Sequence, residues 1–119
     1  MPYPTRFAQL TADAKSRIRE VSPVEAGKQQ AGGAVLIDVR EREEFVQGHA
    51  AGAIHLSKGL LELRIEETIP DPATPIICYC GGGSRSALAA DNLQKMGYTN
   101  VASLAGGLKA WRNEGLPIS

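Results

Sequence analysis

The residues with evident chemistry are Cys80-Gly81-Gly82-Gly83-Ser84-Arg85-Ser86, entered from Ile76-Ile77-Cys78-Tyr79 and left through Ala87-Leu88-Ala89-Ala90. A thiol reacts as its thiolate, and a free thiol with a pKa of about 8.5 ionises more easily beside a helix N-terminus or a guanidinium. Both neighbours are at hand. An apolar run, a glycine loop and a helix pattern make a strand, a turn and a helix start. Successive glycine amides can point into one concavity, and the helix adds its unsatisfied first-turn N–H groups and the positive end of its dipole. Such a cradle holds an anion. Cys80 is expected at its mouth, in an electropositive and partly exposed setting that marks a reactive cysteine. The backbone N–H groups from Gly81 to Ser86 are the candidate substrate contacts. Arg85 follows Cys80 with four residues between them, so it closes the loop. It either turns backbone carbonyls inward or holds an anionic substrate through paired hydrogen bonds.

Cys78 precedes Cys80 by two positions, which puts both on one face of an extended strand. It is read as an inert core thiol, against the alternative of a resolving cysteine. Lys58 and Arg64 are ordinarily solvated charges; they become spare cations for an anionic substrate if their segment lies over the cradle.

A chain of 119 residues with 43% hydrophobic and 22% charged residues fits one domain with a real core. Thirteen basic residues balance thirteen acidic ones without a long run of either sign. Nothing in that balance points to nucleic acid or a membrane surface. The start, Met1 to Arg6, lacks the apolar segment of a secretory signal, and no stretch is long enough to span a bilayer. A cytoplasmic location is therefore expected, and two cysteines one residue apart give no disulfide framework.

Phe7, Leu10, Ala14 and Ile18 give the apolar face of an N-terminal packing helix. This reading sets residues 1–17 apart as a helical extension to a domain over residues 18–119. Ile18 to Val21 is a short strand. Ser22-Pro23-Val24-Glu25 is a capping box with proline at the first helical position, and that helix ends near Gly32-Gly33. Ala34 to Ile37 is a buried strand. Asp38, Arg40, Glu43 and Glu44 form a local ion-pair and capping network around a short helical turn that stops by Gly48. His49 and His55 flank a short strand at Gly52 to Ile54 and serve as scaffold, since neither has the spacing of a metal ligand. Ser57 to Arg64 is a helical turn, and Pro70, Pro72 and Pro75 mark a loop. After the cradle, Ala89, Ala90, Leu93 and Met96 form a buried helical face ended by Gly97. Val101 to Leu104 is the last strand, and Leu108 and Trp111 anchor a final helix. Buried apolar runs alternating with helices indicate a parallel sheet covered on both faces, an α/β fold.

Several separated pieces together resemble one family. They are Asp38-Val39-Arg40-Glu41 with Glu44-Phe45, Gly48-His49 and Gly52-Ala53-Ile54-His55; the Cys80 to Arg85 loop; and Leu104-Ala105-Gly106-Gly107 with Trp111. Over about residues 21–117 the chain is similar to a single-domain rhodanese. The resemblance implies a five-stranded parallel sheet flanked by helices, with the cysteine loop at the carboxyl ends of the strands. It implies a sulfurtransferase in which Cys80 attacks the outer sulfur of thiosulfate or a persulfide, expels sulfite or a thiol, and holds the sulfur as a persulfide. An acceptor such as cyanide, glutathione or a thioredoxin-like dithiol, or a partner in a sulfur relay, would then remove it. No metal or organic cofactor is implied. The loop departs from rhodaneses that favour thiosulfate, which carry cations within it; Gly81, Gly82 and Gly83 carry none.

Two rivals stand beside this reading. Cysteine-dependent phosphatases and arsenate reductases share the cysteine, amide cradle and arginine, but the phosphatases place five residues between cysteine and arginine where this chain has four. A non-catalytic docking or sulfur-carrier module would use the same fold, although docking modules commonly lose the cysteine.

Overall fold

The computed structural model describes residues 4–119. The chain runs α1 (Thr5–Lys15), β1 (Arg19–Val21), α2 (Pro23–Ala31), β2 (Val35–Asp38), α3 (Arg42–Gln47), β3 (Ile54–His55), α4 (Lys58–Thr68), β4 (Ile76–Tyr79), α5 (Ser84–Lys95), β5 (Val101–Leu104) and α6 (Gly107–Asn113). The five strands form one sheet in the order β1-β5-β4-β2-β3. Every named strand pair in it is parallel.

Side-chain alternation along the strands divides the core into two layers. Ile76 and Cys78 of β4 join Ile37, Leu61, Ile65, Leu93 and Val101 beneath α4 and α5. Ile77 and Tyr79 join Leu36, Ala26, Leu104, Leu108 and Trp111 beneath α2 and α6. Both faces are therefore buried, which is why β4 is apolar throughout rather than alternating. From β2 the chain moves outward to β3, and from β4 it moves the other way to β5. The carboxyl ends of β2 and β4 thus flank the point where the strand order reverses, the usual ligand crevice of an open α/β sheet. Cys80 follows β4 directly at that point.

Local signals account for most boundaries. Ser22 Oγ caps α2 by accepting from the Glu25 N–H at 3.2 Å. Glu41 and Glu44 form a reciprocal box at the start of α3. His49 and His55 are scaffold. The His49 Nδ1 pairs with the Phe45 carbonyl and the His55 Nε2 with the Arg40 carbonyl, while the Phe45 ring stacks on both imidazoles.

The short strand is Ile54–His55 rather than Gly52 to Ile54, so His55 lies within it, and three helices differ from their sequence reading. Leu10 is 55% exposed, and α1 instead buries Thr11 and Ala14, small residues that let it lie close to α5. Met96 closes α5 at a partly exposed position rather than within its buried face. The segment from Ser57 is a full eleven-residue helix, α4, rather than one turn. Leu61 and Ile65 are its buried seam, but exposed Leu60 and Leu63 blur the helical period in the sequence. Ile18 lies beyond α1 and packs against the core layer under α4 and α5. Among the described residues, no helix is long and apolar enough to cross a membrane.

Candidate active site

The loop after β4 wraps around the sulfur of Cys80. The Gly83 N–H donates to Sγ at 3.1 Å and the Ser86 N–H at 3.4 Å, while the Ser86 hydroxyl lies 3.4 Å away. Gly83 supports this curl with φ +103°, a left-handed conformation that side chains resist. A Cβ there would meet the Gly106 nitrogen at 3.3 Å.

The ring closes from outside as well. The first amides of α6 bind the outer side of the loop: the Leu108 N–H donates to the Cys80 carbonyl at 2.8 Å and the Lys109 N–H to the Gly81 carbonyl at 3.2 Å. With those carbonyls drawn outward, the loop N–H groups are left facing the sulfur. Gly107 permits the approach. Its φ is +59°, and an added Cβ would stand 2.5 Å from the Cys80 carbonyl oxygen and 2.6 Å from the Gly81 carbonyl carbon. Gly107 thus buttresses the outer side of the loop, a contact that its place in the Leu104-Ala105-Gly106-Gly107 piece did not reveal.

Cys80 is only 1% exposed, not partly exposed as the sequence suggested. With no side chains at Gly81 to Gly83 to prop it open, the loop closes onto the sulfur. Burial pushes the thiol up, yet the Ser86 hydroxyl and the N–H groups of Ser86, Gly83 and Gly82 outweigh it and hold Cys80 below the ordinary thiol range. Those hydrogen bonds favour the charged form, so the thiolate is accessible without a general base. Cys78 has burial without donors. It is fully enclosed, and its thiol is pushed up to about 12. The cysteine just after β4 thus has donors that favour its charged form, and the one within β4 has none.

Arg85 at the end of the loop is held by an acid from α3. Its guanidinium grips the Glu44 carboxylate through Nη1 at 2.8 Å and Nη2 at 3.1 Å. Glu44 Oε1 also accepts the Glu41 N–H at 3.1 Å, so one carboxylate caps α3 and fastens the loop after β4. Beneath this bridge Arg40 binds Asp38 and donates to the Gly48 carbonyl at 2.7 Å, fixing the start and end of the α3 segment. The ion-pair and capping network expected around α3 is present, and through Glu44 it extends to the cysteine loop.

The other candidates fall at different distances from the sulfur. Gly82 is exposed at the rim, and Gly81 is half-buried with its carbonyl held by α6. Ser84 opens α5, and among the described residues no hydrogen bond joins it to Sγ. Lys58 lines a hollow of about 160 Å³ with Asp13, Arg17, Leu88, Asp91 and Lys95. Arg64 is exposed and pairs with Glu67 at 3.6 Å. No hydrogen bond or ion pair among the described residues ties either cation to the loop. The described residues hold no cluster of ligating side chains suited to a metal.

Comparison with known proteins adds the following. The family described as Rhodanese-like domain matches residues 22–114. A thiosulfate sulfurtransferase GlpE of Pseudomonas entomophila is 36% identical over 98 residues, spanning 82% of this chain and 88% of its own length. Among solved structures, a Rhodopseudomonas palustris protein described as a possible tyrosine phosphatase superposes with a TM-score of 0.85. It is 34% identical, with 100% of this chain and 99% of that one covered. A polysulfide-sulfur transferase homodimer of Wolinella succinogenes superposes with a TM-score of 0.83 at 30% identity, covering 96% and 87% of the two chains.

Proposed function

The chain belongs to the rhodanese-like domain family and is a sulfurtransferase of rhodanese type, and we propose that it carries the transferred sulfur as a persulfide on Cys80. The observation that carries this reading is the convergence of the Gly83 and Ser86 donors on a buried sulfur whose thiol is held below the ordinary range.

The Sγ thiolate attacks the outer sulfur of the donor. A new S–S bond forms, the donor's bond to that sulfur breaks, and the electron pair leaves with sulfite or a thiolate. The outer sulfur then lies about 2.05 Å from Sγ. An acceptor nucleophile, a thiol or cyanide, takes that sulfur and returns the electron pair to Sγ. Preorganised N–H groups favour the negative charge on Sγ before attack and again on release. No step requires a metal or cofactor.

The mouth of the site favours a slender reactive end over a bulky anion. Arg85 is engaged by Glu44, and the glycines supply no cation. Charge on the donor is therefore met chiefly by backbone dipoles, with Lys58 and Arg64 as the spare cations, and a persulfide is expected to serve at least as well as thiosulfate. The acceptor is a small thiol or cyanide, with a thioredoxin-like or sulfur-relay protein as the alternative form of the same chemistry. A thiol that must return reduced after every cycle suits a reducing compartment, and the assignment is cytoplasmic. Residues 18–119 form the transferring domain, and residues 1–17 an extension whose described part packs on α5.

The Rhodopseudomonas palustris neighbour raises phosphatase chemistry as a second reading. A phosphatase needs a carboxylic acid to protonate its leaving group. Among the described residues the carboxylate fastened to the loop is Glu44, which is locked to Arg85 and held down to about 2, so it has no proton to give near neutrality. Four residues between Cys80 and Arg85 also leave a tighter ring than a tetrahedral phosphate needs.

Steady-state rates with donor and acceptor varied together test the proposal. Parallel double-reciprocal lines and an inert Cys80→Ser variant are expected. Intersecting lines, or turnover by the serine variant, would reject the persulfide intermediate.

A further inference from the structure

Ser103 belongs to no motif that marks the site, and it lies on β5 rather than on the loop. It is fully buried, and its hydroxyl stands 2.8 Å from Ser86 Oγ, the oxygen that lies 3.4 Å from Cys80 Sγ. Its partner across the sheet is Cys78 of β4, within an apolar layer. A buried hydroxyl in such a place requires a partner, and among the described residues Ser86 is the one it has.

The direction of this chain follows from counting hydrogens. A thiolate has none to give, so Ser86 must donate to Sγ, which leaves only its lone pairs for Ser103. Ser103 must then be the donor to Ser86. With a neutral thiol the order is unconstrained, because S–H can donate to Ser86 and Ser86 to Ser103. The order is therefore enforced only for the charged sulfur, and each donor in it polarises the next.

We infer that Ser103 is a positioning residue for sulfur transfer: its hydroxyl aims the Ser86 O–H at Cys80 Sγ and so stabilises the thiolate that is regenerated when the sulfur is delivered. The consequence for turnover rests on the sulfurtransferase reading; the geometry does not. In delivery, the acceptor's electron pair forms a bond to the outer sulfur, the Sγ–S bond breaks, and its electron pair settles on Sγ. A less basic thiolate leaves faster. In loading, the same stabilisation raises the thiolate fraction but lowers its nucleophilicity, and the two effects oppose each other. Ser103 is thus expected to act more on delivery than on loading.

The test is the pH profile of Cys80 alkylation by iodoacetamide in wild type, Ser103→Ala, Ser86→Ala and the double variant, localised by peptide mass. Ser103→Ala should move the midpoint upward, so that the rate near pH 6 falls about three- to tenfold while the alkaline plateau is retained. In the Ser86→Ala background it should add no further shift. The kcat/KM for a thiol acceptor should fall more than that for the donor. Should the alanine variant not fold, the isosteric pair Ser103→Thr and Ser103→Val isolates the hydroxyl, with the threonine keeping the wild-type midpoint. A Ser103→Ala or Ser103→Val profile that superposes on its hydroxyl-bearing counterpart overturns the inference. So does an equal shift in the absence of Ser86. A protein that shows the shift but takes up no sulfur would uphold the Ser103 assignment and reject the transfer reading instead.

Discussion

Arg85 and Glu44, forty-one residues apart, meet in a two-pronged ion pair of 2.8 and 3.1 Å that ties the loop after β4 to the helix after β2. Arg85 holds Glu44 down to about 2 against an ordinary 4.5. A carboxylate depressed in the folded state contributes stability that is complete above about pH 4.5 and is lost as the pH falls toward 2. Both side chains are more than a third exposed, at 36% and 38%, so solvent screening limits the pair to about 0.5–1 kcal/mol. Glu44→Gln should therefore lower stability slightly at pH 7 and flatten its decline between pH 5 and pH 2, read by chemical denaturation at each pH. Because the pair also pins the cysteine loop, sulfur transfer should fall further than the stability change explains, by about tenfold.

The contact between α6 and the loop gives a sharper structural test. Gly107→Ala forces a Cβ to within 2.5 Å of the Cys80 carbonyl oxygen at a φ of +59°. A cost of about 1–3 kcal/mol follows, with a rise in the Cys80 alkylation midpoint as the loop amides turn away. Gly59→Ala is the control: nothing lies within 4 Å of that Cβ, in the first turn of α4. It should leave thermal stability equal or slightly raised and the Cys80 profile unchanged.

Cys78 is predicted to be dispensable for chemistry. Cys78→Ala should still load sulfur on Cys80, at a stability cost of about 1 kcal/mol for the deleted buried atom. Its thiol is raised from 9.0 to about 12 in the folded chain, so its contribution to stability is complete below pH 9 and lost as the pH rises toward 12. The alanine variant should lose less stability than wild type across that alkaline range. Loss of sulfur transfer to the acceptor, with the fold intact, would instead make Cys78 a resolving cysteine.

The N-terminal helix is fastened by Arg17, which donates to Asp91 through Nε at 3.1 Å and Nη2 at 2.8 Å while also gripping Asp13. Asp91→Asn should lower the melting temperature by weakening the seat of α1 on α5 without altering the Cys80 alkylation midpoint. A shift of that midpoint would mean that the extension reaches the site after all.

Much of this architecture is legible in the sequence because it is local. The β4 run, the glycine loop and the start of α5 are contiguous, so an amide cradle around Cys80 can be read from neighbouring residues. The partners that tune it are not local. Glu44 shows up as a helix cap, and only the adjacency of β2 and β4 brings it to Arg85. Ser103 is one small residue of an apolar strand, placed beside Ser86 by the β4–β5 pairing. Gly107 passes for half of a turn until the Cys80 carbonyl is found against it. The depth of the sulfur was also hidden, because a loop without side chains can stand open or fold down, and it folds down.

Whether Cys80 accepts a single sulfur atom is read from intact mass after incubation with thiosulfate and, separately, with glutathione persulfide. A gain of one sulfur atom, localised to Cys80, absent from Cys80→Ser and removed by a thiol or cyanide, is the predicted result. An unchanged mass with both donors, in a protein whose Cys80 still alkylates, would rule out transfer through Cys80.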